Sequence, residues 1–187
     1  MPLTYRLFIA IELPEAVKNA LAGLRAEIPD ATWVKPHAYH LTLRFLGDGI
    51  DQEGLSRVQM ALRAVHADPF EFWLNGVGRF PINPKTWARV LWAGVQAPPA
   101  LGQLQRMVER AVVASGWPPD KQRFHAHITL ARLRSARGKA QIAAFLDDNR
   151  SFRAGPAAAE AFHLIASTLS PQGPTYAIQS SYPLVKR

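Results

Sequence analysis

Two stretches of this chain decide how the rest is read: His40-Leu41-Thr42-Leu43-Arg44-Phe45-Leu46-Gly47 and His127-Ile128-Thr129-Leu130-Ala131-Arg132. Each opens on His-x-Thr-x with apolar residues at the intervening positions, the alternation of a strand that keeps one face in a core. By that alternation His40, Thr42 and Arg44 share one face, while Leu41, Leu43 and Phe45 point inward. His127 and Thr129 likewise oppose Ile128 and Leu130. Each strand thus aims an imidazole and a hydroxyl the same way, and two such strands facing each other line a single cleft.

The flanking sequence repeats around the two stretches. Residues 5–12 read as a strand, and Pro14 then starts a helix carrying Val17, Leu21, Leu24 and Ile28 at helical spacing. The first motif strand, His40 to Leu46, closes at Gly47-Asp48-Gly49, and a helix from about Asp51 is expected to turn Leu55, Val58, Met60, Leu62 and Val65 inward. Residues 70–77 and 87–95 are β-type and flank a turn rich in Pro and Gly. Pro98-Pro99 then opens a second helix, carrying Leu101, Leu104, Met107, Val108, Ala111 and Val112, stopped by Gly116-Trp117-Pro118-Pro119. The second motif strand, a short helix near 139–146 and strands around 152–169 and 176–183 complete the chain. Helix-then-strand occurs twice with no linker between. The expectation is an α+β fold of two pseudo-symmetric lobes, mostly antiparallel sheet with outer helices, enclosing a central cleft within one domain spanning 1–187.

The chain has 187 residues, 48% hydrophobic and 19% charged, a soluble globular profile able to bury a core without staples. It contains no cysteine, which removes disulfides, thiolate–zinc sites and a cysteine nucleophile from consideration. The formal charge is +8 and most of the excess is arginine, which suits bidentate phosphate contact and a polyanionic partner such as nucleic acid. The same excess also fits a merely solvated basic surface. The opening Met1 to Ile11 is too short in apolar residues for a signal peptide, and no run approaches the roughly 20 apolar residues of a membrane span. A cytoplasmic protein without membrane attachment is expected, and a monomer, since the cleft is complete within one chain.

Two histidines and two hydroxyls are what phosphodiester cleavage without a metal requires. A neutral imidazole takes a proton from the attacking oxygen and an imidazolium gives one to the leaving oxygen. Threonine hydroxyls donate to non-bridging oxygens, and an arginine offsets the charge that develops there. A single His-x-Thr on a strand is more often a surface feature; one in each half, in matching context, is not. A metal site is the competing reading, because His125 and His127 share a strand face, but the motif strands offer only Asp48 as a nearby carboxylate. No metal and no cofactor are therefore expected.

The run Trp33-Val34-Lys35-Pro36, the two motifs with Phe124-His125-Ala126 before the second, the start Arg6 to Ile11 and the tail Leu169-Ser170-Pro171-Gln172-Gly173-Pro174-Thr175-Tyr176 together resemble the RNA 2′,3′-cyclic phosphodiesterases. That family is also called the bacterial and archaeal 2′-5′ RNA ligases, within the two-histidine phosphoesterases. The resemblance covers nearly the whole chain. It implies His40 as proton donor to the leaving 3′-oxygen and His127 as the base that activates water. It further implies Thr42, Thr129 and Arg132 as phosphate ligands, and as substrates RNA ends with 2′,3′-cyclic phosphate or small cyclic nucleotides. The product would be a 2′-phosphomonoester, with reversible 2′-5′ ligation when an RNA 5′-hydroxyl replaces water. A non-catalytic nucleotide- or RNA-binding module, or a related phosphodiesterase for another cyclic nucleotide or RNA 3′-end, is the alternative.

Two positions depart from simple expectation. Ala126 stands where the family often has proline. Arg132 lies five residues after His127, so strict alternation points it away from the cleft unless the strand ends or bulges near Ala131; Arg44, of the right parity, is the competing cation. Trp33, Phe80, Trp87, Trp92 and Tyr176 are candidates to stack on a base. His125 is a candidate to line the cleft, and His37, His66 and His163 are read as surface or structural.

Overall fold

A computed structural model describes residues 4–170 and 173–186. Met1–Leu3, Pro171, Gln172 and Arg187 lie outside the described residues, and with them the first residues of the chain and the middle of the tail motif. The strands are β1 Tyr5–Glu12, β2 Ala31–Trp33, β3 His40–Ile50, β4 Phe70–Phe80, β5 Val90–Gln96, β6 His127–Leu133, β7 Arg153–Ala159, β8 Ala161–Thr168 and β9 Thr175–Pro183. The helices are α1 Glu15–Ala22, α2 Gln52–Leu62, α3 Pro99–Ala114 and α4 Lys139–Asp148. Each helix forms where apolar residues recur every third or fourth position; Met60 of α2, expected inward, falls off the stripe of Leu55, Val58 and Leu62 and is 72% exposed. In α3 Leu101, Leu104, Val108 and Val112 are all fully buried along one stripe. Asp51 caps α2 by accepting from the Gly54 N–H at 2.7 Å.

Two antiparallel sheets carry the strands, in the orders β3-β1-β8-β9 and β2-β6-β5-β4-β7. The fold is α+β with two matching lobes, as expected. In each sheet a motif strand lies beside the strand that precedes it by one helix: β3 beside β1, and β6 beside β5. The lobes are not, however, the two halves of the sequence. β8 and β9, from the last quarter of the chain, complete the first sheet, while β2 and β4, from the first half, belong to the second. The reason lies in pairing: Leu7 to Ile11 of β1 are buried, where an edge of unpaired backbone N–H and C=O groups is costly, and β8 covers the edge that β3 leaves, with Phe8 opposite Ile165 and Ala10 opposite His163.

One core runs under both sheets and is closed by the helices, through Val17 and Leu21 of α1, Leu55, Val58 and Leu62 of α2, the α3 stripe, and Ile142 and Phe145 of α4. Leu7, Ile9 and Ile11 face it from β1. The other face of β1 carries Phe8 and Ala10, which form a separate small cluster with Ile165. That second face, and its counterpart on the other sheet, belong to the cleft. Strands β3 and β6 touch where the sheets meet. Among the described residues no helix is long and apolar enough to cross a membrane.

Candidate active site

His40 opens β3 and His127 opens β6, and the two rings are held in the same way. In each the Nδ1–H donates to the carbonyl two residues back, Ala38 at 2.8 Å and His125 at 2.7 Å. Such an anchor fixes both ring orientation and tautomer, leaving Nε2 as the working nitrogen. Neither Nε2 has a hydrogen-bond partner among the described residues, and neither does the hydroxyl of Thr42 or Thr129. Opposite strand neighbours keep these groups on one face: Thr42 pairs with Ala10, Thr129 with Trp92 and His127 with Gly94.

Both imidazoles titrate below the ordinary value of 6.5. For His40 burial is the main cause, opposed by its bond to Ala38 and reinforced by the charges of Arg132 and His127. For His127 burial again dominates, opposed by the bond to His125 and reinforced by the charges of His125 and Arg132. Arg132 acts on both imidazoles and His127 acts on His40, so the three stand around one space, although His40 belongs to one sheet and the other two to its partner.

Arg132 reaches that space through a β-bulge. Thr129 pairs with Trp92 and Ala131 with Leu91, so Leu130 is an extra residue in β6. The bulge shifts the alternation by one: Leu130 and Ala131 are both fully buried, and Arg132 emerges on the side of His127 and Thr129. It has no carboxylate partner among the described residues. The first motif has a bulge at the corresponding position, where Thr42 pairs with Ala10 and Arg44 with Ile9, leaving Leu43 extra. Here the expected parity of Arg44 and Phe45 is overturned. Arg44 turns away from the cleft to lie 2.7 Å from Glu109 of α3 and 3.5 Å from Asp120, and donates to the carbonyl of Pro118. Phe45, expected in the core, is 41% exposed opposite Phe8, with the Arg6 guanidinium 4.6 Å above its ring.

Aromatic rings wall the cleft. Phe8 lies 4.7 Å from the His40 ring, and Tyr176 lies 5.3 Å from His40 at a right angle. Burial raises the Tyr176 pKa, against the charges of Arg132 and Arg6, so the phenol stands close to both arginines. On the other side Phe80 lies 5.0 Å from His127 and 5.4 Å from Trp92. A Cβ on Gly78 would stand 2.2 Å from the Trp92 ring, so only glycine lets that indole lie flat on β4. His125 does line the cleft, its ring 5.9 Å from His127. Of the other aromatic candidates, Trp33 packs edge-on against Phe145 in the core, and Trp87 lies beneath Arg89 on the far side of β4 and β5. Sequence reasoning passes over Phe8 because every residue around it in β1 is apolar, which hides the face that leaves the core.

His163 sits on β8, its Nδ1 2.9 Å from Ser181 Oγ and its Nε2 3.9 Å from Glu12; His37 and His66 are exposed. Among the described residues no three side chains of His, Cys, Asp or Glu gather as a metal site.

The sequence profile of the 2′-5′ RNA ligase superfamily matches residues 13–169. The chain belongs to that superfamily. It is similar to proteins named RNA 2′,3′-cyclic phosphodiesterase: 32% identical over 174 residues to that of Archaeoglobus fulgidus, covering 91% of this chain and 96% of the relative. The corresponding protein of Thermus thermophilus is 32% identical over 197 residues, covering 96% and 90%. Among solved structures, TT0787 of Thermus thermophilus superimposes with a TM-score of 0.76 at 30% identity, covering 96% of this chain and 97% of that one. E. coli LigT complexed with 3′-AMP superimposes at 0.75 and 26% identity, covering 98% and 100%.

Proposed function

We propose that this chain hydrolyses 2′,3′-cyclic phosphates on RNA ends or nucleotides to 2′-phosphomonoesters, with His40 and His127 as its acid–base pair and no metal in the chemical step. The observation that carries the reading is the pair of imidazoles anchored identically through Nδ1, each with its Nε2 bare toward one cleft. The name borne by the superfamily relatives points to the same substrate. That LigT is found complexed with 3′-AMP supports a nucleotide as the ligand.

Neutral His127 accepts through Nε2 a proton from water as the water oxygen attacks phosphorus. The bond from phosphorus to the 3′-oxygen breaks, and protonated His40 gives its Nε2 proton to that oxygen. The 2′-oxygen keeps the phosphate. Turnover leaves His127 protonated and His40 neutral, and exchange with solvent restores both. Thr42 and Thr129 donate to the non-bridging oxygens and Arg132 offsets their charge, none of the three being engaged by a side-chain hydrogen bond or ion pair among the described residues. With an RNA 5′-hydroxyl in place of water, the same groups form a 2′-5′ link and free the 3′-hydroxyl; the reverse step, attack by that 3′-hydroxyl, restores the cyclic phosphate.

The test is hydrolysis of an RNA oligonucleotide ending in 2′,3′-cyclic phosphate, in EDTA, with 2′- and 3′-phosphate products separated. The expected product is the 2′-phosphate, absent with His40→Ala and with His127→Ala. Turnover abolished by EDTA would sink the metal-free mechanism. Binding without turnover by the unaltered protein would favour the non-catalytic module.

A further inference from the structure

A cavity of about 220 Å³ lies on the opposite side of the β4–β5 hairpin from the cleft. It lies between the loop joining those strands and the start of α4, lined by Arg79, Lys85, Thr86, Trp87, Ser135 and Lys139 among others. Three cations and two hydroxyls face it, and no carboxylate is among its lining residues. One acid stands behind the wall: Asp30 accepts from the Ser135 hydroxyl at 2.5 Å and lies 4.0 Å from Arg137, so the Thr86 hydroxyl and the three cations are the donors left to a ligand. Arg79 donates to the carbonyls of Pro81, Asn83 and Thr86, so its guanidinium organises the loop while holding its charge at the cavity wall. The wall also carries the Trp87 ring, with Arg89 5.5 Å from its centroid.

Position ties this cavity to the site. Arg79 and Phe80 are consecutive in β4, so their side chains leave on opposite faces: Arg79 to the cavity, Phe80 to the ring of His127. Cavity and cleft therefore share one strand end. A cationic hollow beside an indole is the combination that single-stranded nucleic acids use, phosphate on the charges and base on the ring.

We propose that this cavity is a second phosphate subsite, which takes a backbone phosphodiester of the RNA strand upstream of the cyclic end. The inference rests on the proposed function and narrows it: the preferred substrate is a polynucleotide, and a cyclic mononucleotide fills only the cleft. Lys85 and Lys139 are exposed and outside the acid–base machinery, so the Lys85→Ala/Lys139→Ala variant folds as the parent does, which its melting temperature checks.

The experiment compares kcat/KM of parent and variant on a 2′,3′-cyclic mononucleotide and on an oligonucleotide with the same end, over a salt series. In parallel, anisotropy measures binding of a labelled single-stranded RNA of the same sequence with a plain 3′-hydroxyl. The variant is expected to lose roughly tenfold on the oligonucleotide and nothing on the mononucleotide, and its salt slope to fall by about 0.7 for each phosphate that is no longer neutralised. RNA binding falls in parallel. Equal loss on both substrates, or unchanged oligonucleotide kinetics and binding, would overturn the subsite. Failure of the parent to turn over either substrate would instead overturn the proposed reaction, and the anisotropy arm would still decide the subsite.

Discussion

The two lobes present the same strand and use it differently. Both motif strands run His-x-Thr and then bulge at a leucine, Leu43 in one and Leu130 in the other. Counting from the histidine, Arg44 and Ala131 occupy corresponding places and both turn away from the cleft. One position later, Phe45 and Arg132 correspond, and both turn outward. After the bulge the first lobe thus offers the Phe45 ring and the second the Arg132 guanidinium. Symmetric backbones thus carry unlike side chains just past the bulge, a ring in one lobe and a cation in the other, while aromatic rings stand beside both histidines.

The sharpest break in the comparison is expected at the histidines. His40→Ala and His127→Ala should each lower kcat by roughly 10²- to 10⁴-fold, and the double variant scarcely further, because acid and base act as a unit. Additive losses would mean that the lobes work separately.

Arg132→Met comes next, with a loss of about 10²-fold in kcat/KM on a cyclic mononucleotide; Phe45→Ala should leave the chemical step far less changed. The pH profile sharpens this. In the free enzyme both imidazoles titrate below 6.5, one must be neutral and the other protonated, so kcat/KM is bell-shaped with both limbs displaced to the acid side. Above the lowered values the acid is lost; below them the base is filled. The charge of Arg132 depresses both histidines, so Arg132→Met should move both limbs to higher pH. Unmoved limbs would show that the guanidinium lies too far from the rings to act on them.

Thr42→Val and Thr129→Val should each cost about tenfold in kcat/KM, the scale of one hydrogen bond to a charged oxygen. A large difference between them would show that one lobe holds the phosphate alone. The smallest effect on catalysis is expected at Arg44→Met, which should instead cost about 2 kcal/mol of stability by leaving Glu109 partly buried without its cation. Thermal unfolding beside mononucleotide turnover per folded molecule separates the two effects.

Much of this is legible in the sequence, and the failures have a common cause. The alternation of His40, Thr42 and Leu41, or of His127, Thr129 and Ile128, is local and reads correctly up to the threonine. One extra residue then reverses everything after it. The consecutive apolar pair Leu130-Ala131 before Arg132 is the only trace of the second bulge, while Leu43-Arg44-Phe45 carries none and misleads the placement of both Arg44 and Phe45. The halves read as lobes because helix-then-strand repeats along the chain. That β8 crosses back to β1 depends on pairing over some 150 residues, which no local pattern encodes. The three-residue β2 is too short to announce itself, yet it holds the edge of β6 through Thr32 opposite Arg132.

That crossing-back has a consequence for how the protein comes into being. A chain made from its N-terminus meets its partners in the order of synthesis, and His40 is completed early. The strand β1 beside it stays open along one edge until residues 161–168 emerge, and Tyr176 reaches the His40 ring later still. Half-made protein therefore carries the first histidine without its cleft, and the reaction switches on only once β8 and β9 have followed.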